Sequence, residues 1–188
     1  MLASGNGTNV DNFIRYFSGH PKIEIALVIS NNPRAYVRER ARKANIPHLI
    51  IPADQWHDEK KIREVFSGAG IDIIVLAGFL LLIPENLIKM YPGKILNIHP
   101  ALLPAYGGKG MYGMHVHRAV IDANEKHSGI SIHLVNEKYD EGRILFQEKV
   151  AVEAGETPES LAAKVQQLEY RYYPRVVESY INRLFPES

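Results

Sequence analysis

The pattern of this chain predicts a three-layer α/β fold with a mostly parallel sheet. Three observations carry that expectation. Strand-like and helix-like runs alternate along the 188 residues. Residues 71–76 are almost wholly apolar, as a strand buried on both faces is. Proline, glycine and capping residues separate the runs. With 46% apolar and 23% charged residues, the composition is ordinary for a globular protein, and the length suits one domain spanning 1–188.

Taken in order, residues 1–3 form the stub of a first strand, and Val10, Phe13, Ile14 and Phe17 then share one helical face. Residues 23–30 are β-rich, 35–44 a charged helix and 46–51 a short strand. A helix over 58–69 leads into the apolar strand at 71–76, and Pro84 suits the first turn of a helix reaching Tyr91. Residues 95–98 are the next strand, 105–113 a loop and 115–123 a helix. Over 129–135, Ile130, Ile132 and Leu134 alternate with Ser131 and His133, and 143–152 is a final strand. Thr157 followed by Pro158 reads as a cap with a first-turn proline, opening a helix with Leu161, Val165, Leu168 and Tyr172 on one face. Pro174 is expected to kink that helix or to separate a last one. There is no internal repeat and no low-complexity linker.

Several function classes fall away on composition. A net charge of +1 argues against an electrostatic nucleic-acid binder. The absence of cysteine excludes disulfides, thiol nucleophiles and Cys-based zinc sites. No apolar run approaches the roughly 20 residues that span a bilayer, and Met1-Leu2-Ala3-Ser4-Gly5 lacks the regions of a signal peptide. A soluble cytoplasmic protein without nucleic-acid or membrane partners is the expectation.

In open α/β sheets ligands bind at the carboxyl ends of the strands, and the chemically suggestive residues collect there. Asn97 and His99, two apart on an extended run, point to the same side. An amide donor beside a titratable donor is what a developing oxyanion needs, although a core asparagine and a loop histidine would look the same. Ser4-Gly5-Asn6-Gly7-Thr8-Asn9 opens the first helix and could offer backbone N–H groups to a phosphate, or be a tight turn capped by Thr8 or Asn9. It lacks the lysine of a P-loop and the third glycine of a dinucleotide fingerprint. Residues 77–83 are either core or the wall of a pocket for a flat ligand. Asp140 is either a surface carboxylate or a partner that favours the His99 imidazolium. His115 and His117 with His133 and Asp140 suggest a metal site, but helical residues two apart diverge by roughly 200°. A helix cap and a packing contact are the better reading, with no metal.

These motifs, in order and spacing, resemble the phosphoribosylglycinamide formyltransferases of purine biosynthesis, a folate-dependent formyltransferase family. The resemblance rests on Ser4-Gly5-Asn6-Gly7-Thr8-Asn9, Leu76-Ala77-Gly78-Phe79, Asn97-Ile98-His99-Pro100-Ala101-Leu102-Leu103-Pro104 and Asp140-Glu141-Gly142. It covers nearly the whole chain. It implies a Rossmann-like seven-stranded sheet, with a nucleotide half over about 1–97 and a folate-binding, catalytic half over about 98–188. Gly7, Thr8 and Asn9 match the segment that holds the substrate phosphate, and Glu169 matches the acidic residue on the ribose hydroxyls. Leu80, Leu81, Leu82, Ile83 and Asn97 match the folate-contacting positions, and Asn136, Glu137, Lys138 and Tyr139 the loop beside the pterin. His99 matches the general acid and Asp140 the carboxylate that raises its pKa, so activity is expected to fall as pH rises through that pKa. The implied reaction moves the formyl group of 10-formyltetrahydrofolate to the amine of glycinamide ribonucleotide, by a monomer or homodimer.

Three departures stand out. The family's first strand is longer than Met1-Leu2-Ala3, so the chain is expected to begin late relative to it. Leu81 replaces a basic residue of the folate segment, and Arg63 is too weak a counterpart for a second family arginine. Gly107-Gly108-Lys109-Gly110-Met111-Tyr112-Gly113 is longer than usual and reads as a mobile flap. Two rivals remain: a 10-formyltetrahydrofolate hydrolase, which needs no phosphate loop, and a non-catalytic Rossmann-type nucleotide-binding protein, which leaves Asn97, His99 and Asp140 unexplained.

Overall fold

Helix α1 (Thr8–Tyr16) starts directly after Gly7, which takes φ 71° and ψ 31° in the computed structural model; the structure describes residues 1–186. A Cβ at Gly7 would run into Val37, the first residue of α2 (Val37–Lys43). Both the left-handed backbone and this close approach therefore require glycine. The chain divides after Leu96 into two compact units.

In the first unit, β1 (Val28–Ser30) and β2 (His48–Ile50) pair in parallel, with Val28 opposite His48. Leu2 forms a single parallel bridge on each side, to Ile29 and to Leu76. α3 (Glu59–Gly68) is capped by the Asp58 carboxylate, which accepts from the Lys61 N–H. β3 (Ile74–Leu76), α4 (Glu85–Met90) and the start of β4 (Ile95–His99) complete the unit. Leu2, Val10, Phe13, Ile29, Ile62 and Phe66 are buried, and each large apolar side chain so buried contributes about 1.5–3 kcal/mol before entropy is counted.

The second unit holds the end of β4, α5 (Met114–Asp122), β5 (His127–Leu134), β6 (Ile144–Ala151) and α6 (Pro158–Leu184). β5 and β6 are antiparallel, with an irregularity between Ile132 and His133. Thr157 and Ser160 close a capping box at the head of α6. That helix packs on α5, β5 and β6 through Leu161, Val165, Tyr173, Val177 and Tyr180.

The class is α/β, but several expectations are corrected. The strands form a two-stranded sheet, β1-β2, and a four-stranded sheet, β3-β4-β5-β6, not one mostly parallel sheet of seven. Residues 1–3 supply only the one-residue bridge at Leu2, and β5–β6 is antiparallel. The β-rich run at 23–30 becomes a strand only over its last three residues. Leu27 and Ile29 bond to Met1 and Ala3, but residues 23–27 form no ladder, which a strand needs. Pro174 does not separate a last helix: α6 runs through it for 27 residues. Its buried stripe passes through Tyr173 while Leu168 and Tyr172 stay half-buried.

Candidate active site

The segment after β4 is locked in place before any chemistry is considered. Buried Ser131 on β5 donates to the Ala101 carbonyl at 2.7 Å and accepts from the Leu103 N–H at 2.9 Å. Gln147 on β6 donates to Ser131 Oγ at 2.8 Å and to the Leu103 carbonyl at 3.0 Å. Each backbone bond of this kind contributes about 0.5–1.5 kcal/mol net. Asn97 and His99 thus sit on a rigid strand end, Asn97 half-buried and His99 3% exposed.

Around them the second unit brings together four side chains. His99 Nε2 lies 2.7 Å from the Tyr106 carbonyl oxygen, and His99 Nδ1 lies 3.4 Å from Asp140 Oδ2. A carbonyl only accepts, so the neutral His99 ring carries its proton on Nε2. His133 Nδ1 is 2.8 Å from the Leu134 carbonyl, which by the same logic leaves His133 Nε2 as an acceptor. Asn97 Nδ2 donates to that nitrogen at 3.1 Å and reaches Asp140 Oδ1 at 3.5 Å. The Gly108 N–H donates to Asp140 Oδ2 at 3.0 Å. Asp140 itself sits in the left-handed region, φ 58°, a conformation aspartate tolerates better than most residues.

Asn97, His99 and Asp140 therefore converge, although 43 residues separate the first from the last. His133 is the member that sequence reasoning weighs only as a metal ligand. The available signal was its period-two alternation with Ser131, which puts two polar side chains on the face of β5 opposite Ile130 and Ile132. Both are buried, and both are hydrogen-bonded.

The electrostatics correct one expectation. Burial pushes the His99 pKa down, and this outweighs the raising influence of the Asp140 charge and of the Tyr106 carbonyl; His133 adds to the lowering. Burial thus favours the neutral ring and makes the net shift downward, while the Asp140 influence itself is in the raising direction that the resemblance implied. Burial pushes Asp140 upward, but the His133 contact, the His99 charge and the Gly108 N–H together hold it below the usual carboxylate range. His117 on α5 is also lowered, first by burial and then by His99.

The other expected positions fall as follows. In the first unit, no side chain caps α1, so the turn reading with a Thr8 or Asn9 cap is not what forms. The first N–H groups of a helix have no intrahelical acceptor. Arg40 braces the loop, donating to the Asn6 carbonyl at 2.8 Å and pairing with Asp11 at 3.4 Å. Ser4 Oγ accepts from the Leu80 N–H at 3.0 Å and donates to Asn31 Oδ1 at 2.6 Å, tying the loop to the 78–83 segment. There Ile83 is buried and Leu81 half-buried, but Leu80 and Leu82 are 47% and 45% exposed, so this run is not simply core. Phe79 beneath it packs on Trp56 with ring centroids 4.9 Å apart. In the second unit, Asn136 Oδ1 accepts from the Lys138 N–H at 3.1 Å in the turn that leads to Asp140. Glu137 and Lys138 are exposed, and Tyr139 is half-buried. Glu169 lies half-buried on α6, where its charge adds to burial in raising the Tyr173 hydroxyl pKa. His115 is exposed and meets the Tyr112 ring edge-on at 5.4 Å, whereas His117 is buried. Among the described residues, no three His, Cys, Asp or Glu side chains are arranged to hold a metal, and no helix is long and apolar enough to cross a membrane.

The uncapped helix start gives one expected outcome. Thr8→Asp places a negative charge at the N–H groups of α1 and should weaken binding of a phosphorylated substrate while leaving a folate analogue's affinity nearly intact. Calorimetry with each ligand separately checks this; equal loss of both points to misfolding.

An α/β scaffold carrying an Asn–His–His–Asp cluster at a strand end, with both histidines buried, defines a Rossmann-like protein with an enzyme-like site. Residues 1–177 match the formyl transferase family model, and the chain belongs to that family. It is 41% identical over 183 residues to the chloroplastic phosphoribosylglycinamide formyltransferase of Arabidopsis thaliana, covering 94% of this chain and 63% of that one. This chain therefore spans less than two thirds of the plant relative. It is 35% identical to phosphoribosylglycinamide formyltransferase of Escherichia coli (strain K12), covering 94% of this chain and 84% of the relative. Among solved structures, phosphoribosylglycinamide formyltransferase from Bacillus halodurans superposes with a TM-score of 0.87 at 35% identity, covering 97% and 94%.

Proposed function

We propose that this protein transfers the formyl group of 10-formyltetrahydrofolate to the amine of N1-(5-phospho-D-ribosyl)glycinamide in de novo purine biosynthesis. The observation that carries the reading is the convergence of Asn97, His99 and Asp140, on a chain whose similar relatives bear that activity in their names. Exposed Leu80 and Leu82 beside backbone groups suit a flat, partly apolar ring. The open start of α1 at Gly7, Thr8 and Asn9 suits a phosphate. Asn136, Glu137, Lys138 and Tyr139 flank the pterin, and Glu169 serves the ribose hydroxyls. The cytoplasm is the compartment inferred, on composition alone.

Charge dictates the mechanism. The folate derivative supplies the electrophilic formyl carbon. The substrate amine attacks that carbon, and the carbonyl oxygen gains negative charge while the nitrogen becomes cationic. The surplus amine proton is taken up by the His99–Asp140 pair, in which the carboxylate stabilises the imidazolium. An Asn97 N–H turns from Asp140 to the oxyanion; the 3.5 Å contact it gives up is the weaker of its two. As the carbonyl re-forms and the bond to the folate nitrogen breaks, the His99–Asp140 pair returns a proton to that nitrogen. Holding both reactants in line supplies up to about 7–11 kcal/mol of the barrier in favourable cases. No step of this route uses a metal ion.

The test is release of tetrahydrofolate and formate with and without glycinamide ribonucleotide. Tetrahydrofolate should appear only when the amine substrate is present, with formylated product and little free formate. Rapid formate release in its absence would overturn the transferase reading and favour the hydrolase.

A further inference from the structure

We infer that Arg40, on α2, is a positioning residue of the glycine-rich loop: it holds the Asn6 carbonyl and so keeps the loop's N–H groups turned toward a phosphate. This rests on the reading of Gly7, Thr8 and Asn9 as the phosphate site. Arg40 acts through the backbone that it holds, not by touching the anion.

A loop that receives a phosphate has to turn its carbonyl oxygens away, because each one within reach repels the anion that the N–H groups attract. From Ser4 to Gly7 every carbonyl is engaged by the fold. The Ser4 carbonyl accepts from Asn32 Nδ2 at 3.3 Å, and that of Gly5 from the Val37 N–H at 3.2 Å. The Asn6 carbonyl accepts from Arg40 Nε at 2.8 Å, and that of Gly7 from the Asp11 N–H at 2.9 Å. In a planar trans peptide the carbonyl and the N–H of the next residue point in opposite directions. The N–H groups of Gly5, Asn6, Gly7 and Thr8 therefore turn away from these partners, and the last two open where α1 begins.

Of these bonds, the one to Asn6 depends on a single long side chain. Asn6 is exposed, so water competes for its carbonyl, and the glycine on either side lets the peptide rotate. Arg40 closes that option, because three contacts fix its guanidinium. Nε–H donates to Asn6, a terminal nitrogen lies 3.4 Å from Asp11 Oδ2, and Cζ lies 5.3 Å from the centre of the Tyr36 ring. A planar fork addresses two acceptors in fixed directions, which an ammonium cannot do. The pairing has a second effect. Asp11 stands in the first turn of α1, where its charge would oppose an arriving phosphate. Arg40 and Arg15, each 3.4 Å from its carboxylate, offset that charge.

The experiment measures binding to the full chain by calorimetry, with three ligands: glycinamide ribonucleotide, its dephosphorylated nucleoside and a folate analogue. Steady-state kinetics run alongside. Wild type should bind the ribonucleotide more tightly than the nucleoside. Arg40→Met should weaken ribonucleotide binding and raise its KM about 10-fold or more. Affinities for the nucleoside and the folate analogue should change little, and kcat at saturation far less than KM. Arg40→Lys should keep most of the defect, because the charge remains but the Nε–H is lost. Asp11→Asn combined with Arg40→Met removes both charges and should still bind the ribonucleotide more weakly than wild type, because the Asn6 carbonyl stays unheld. Wild-type affinity in Arg40→Lys, full recovery in the double variant, or equal loss for ribonucleotide and nucleoside overturns the inference. If Arg40→Met fails to fold, Arg40→Lys and the double variant decide. A wild type that binds ribonucleotide and nucleoside equally overturns the phosphate reading and the inference with it. Variants that keep the full wild-type preference for the ribonucleotide overturn the inference alone.

Discussion

Replacing His99 with alanine should lower kcat by roughly 10²–10⁴-fold, with the affinities for glycinamide ribonucleotide and a folate analogue little changed. The size follows from the work assigned to the ring. It takes a proton from a cationic nitrogen and returns it to a leaving nitrogen, and no other side chain on β4 is placed to do so. Single-turnover rates with separately measured ligand affinities check this, and a variant retaining most of its rate sinks the mechanism. The pKa of the same ring offers an independent check. Burial lowers it below the ordinary histidine value of 6.5, and Asp140 is the largest influence in the raising direction. An NMR titration of the free protein should therefore place His99 below 6.5, and Asp140→Asn should lower it further, because the raising charge is gone. A wild-type pKa at or above 6.5 would return His99 to the role of a resting acid.

Asn97→Ala carries the second large effect, a loss of roughly 10²–10³-fold in kcat, the usual consequence of deleting an oxyanion donor. The structure refines the reason. Its stronger bond, 3.1 Å to His133 Nε2, fixes the plane of the amide, and its weaker one, 3.5 Å to Asp140, is available for exchange. His133 contacts Asn97 and not the reacting atoms in this reading. The Asn97→Ala, His99→Ala double variant should lose less than the product of the two single losses, since both residues act on charge developing around one carbon. Strict multiplication of the two effects in matched assays would show that they serve separate steps.

Much of the site was legible in the chain because its residues carry chemistry in fixed local spacing. Asn97 and His99 share a side for the plain reason that extended backbone alternates, and the residues around them dictate an extended backbone. The Ser4–Asn9 run announced the opening of the first helix, which begins at Thr8. Thr157-Pro158 announced the head of α6, which the capping box bears out. The elements themselves were recognisable for the same reason, since hydrophobic period and capping are local properties. Strand lengths were not. Residues 23–27 have strand composition yet gain no ladder, and Pro174 sits inside a helix long enough, and buried enough, to carry it.

By itself, then, the sequence determined the α/β class, the order of the elements and the identity of the residues able to handle charge. Tertiary structure alone decided the rest. It made His133 a partner of Asn97, because the pairing joins β4 to β5 across 36 residues. It turned the start of the glycine loop into a brace on Asp140. It also set the direction of the His99 pKa: the Asp140 charge was visible in the chain, but the burial that outweighs it is a property of packing. Desolvation depends on everything within a few ångströms of a group, and no spacing along a chain records that.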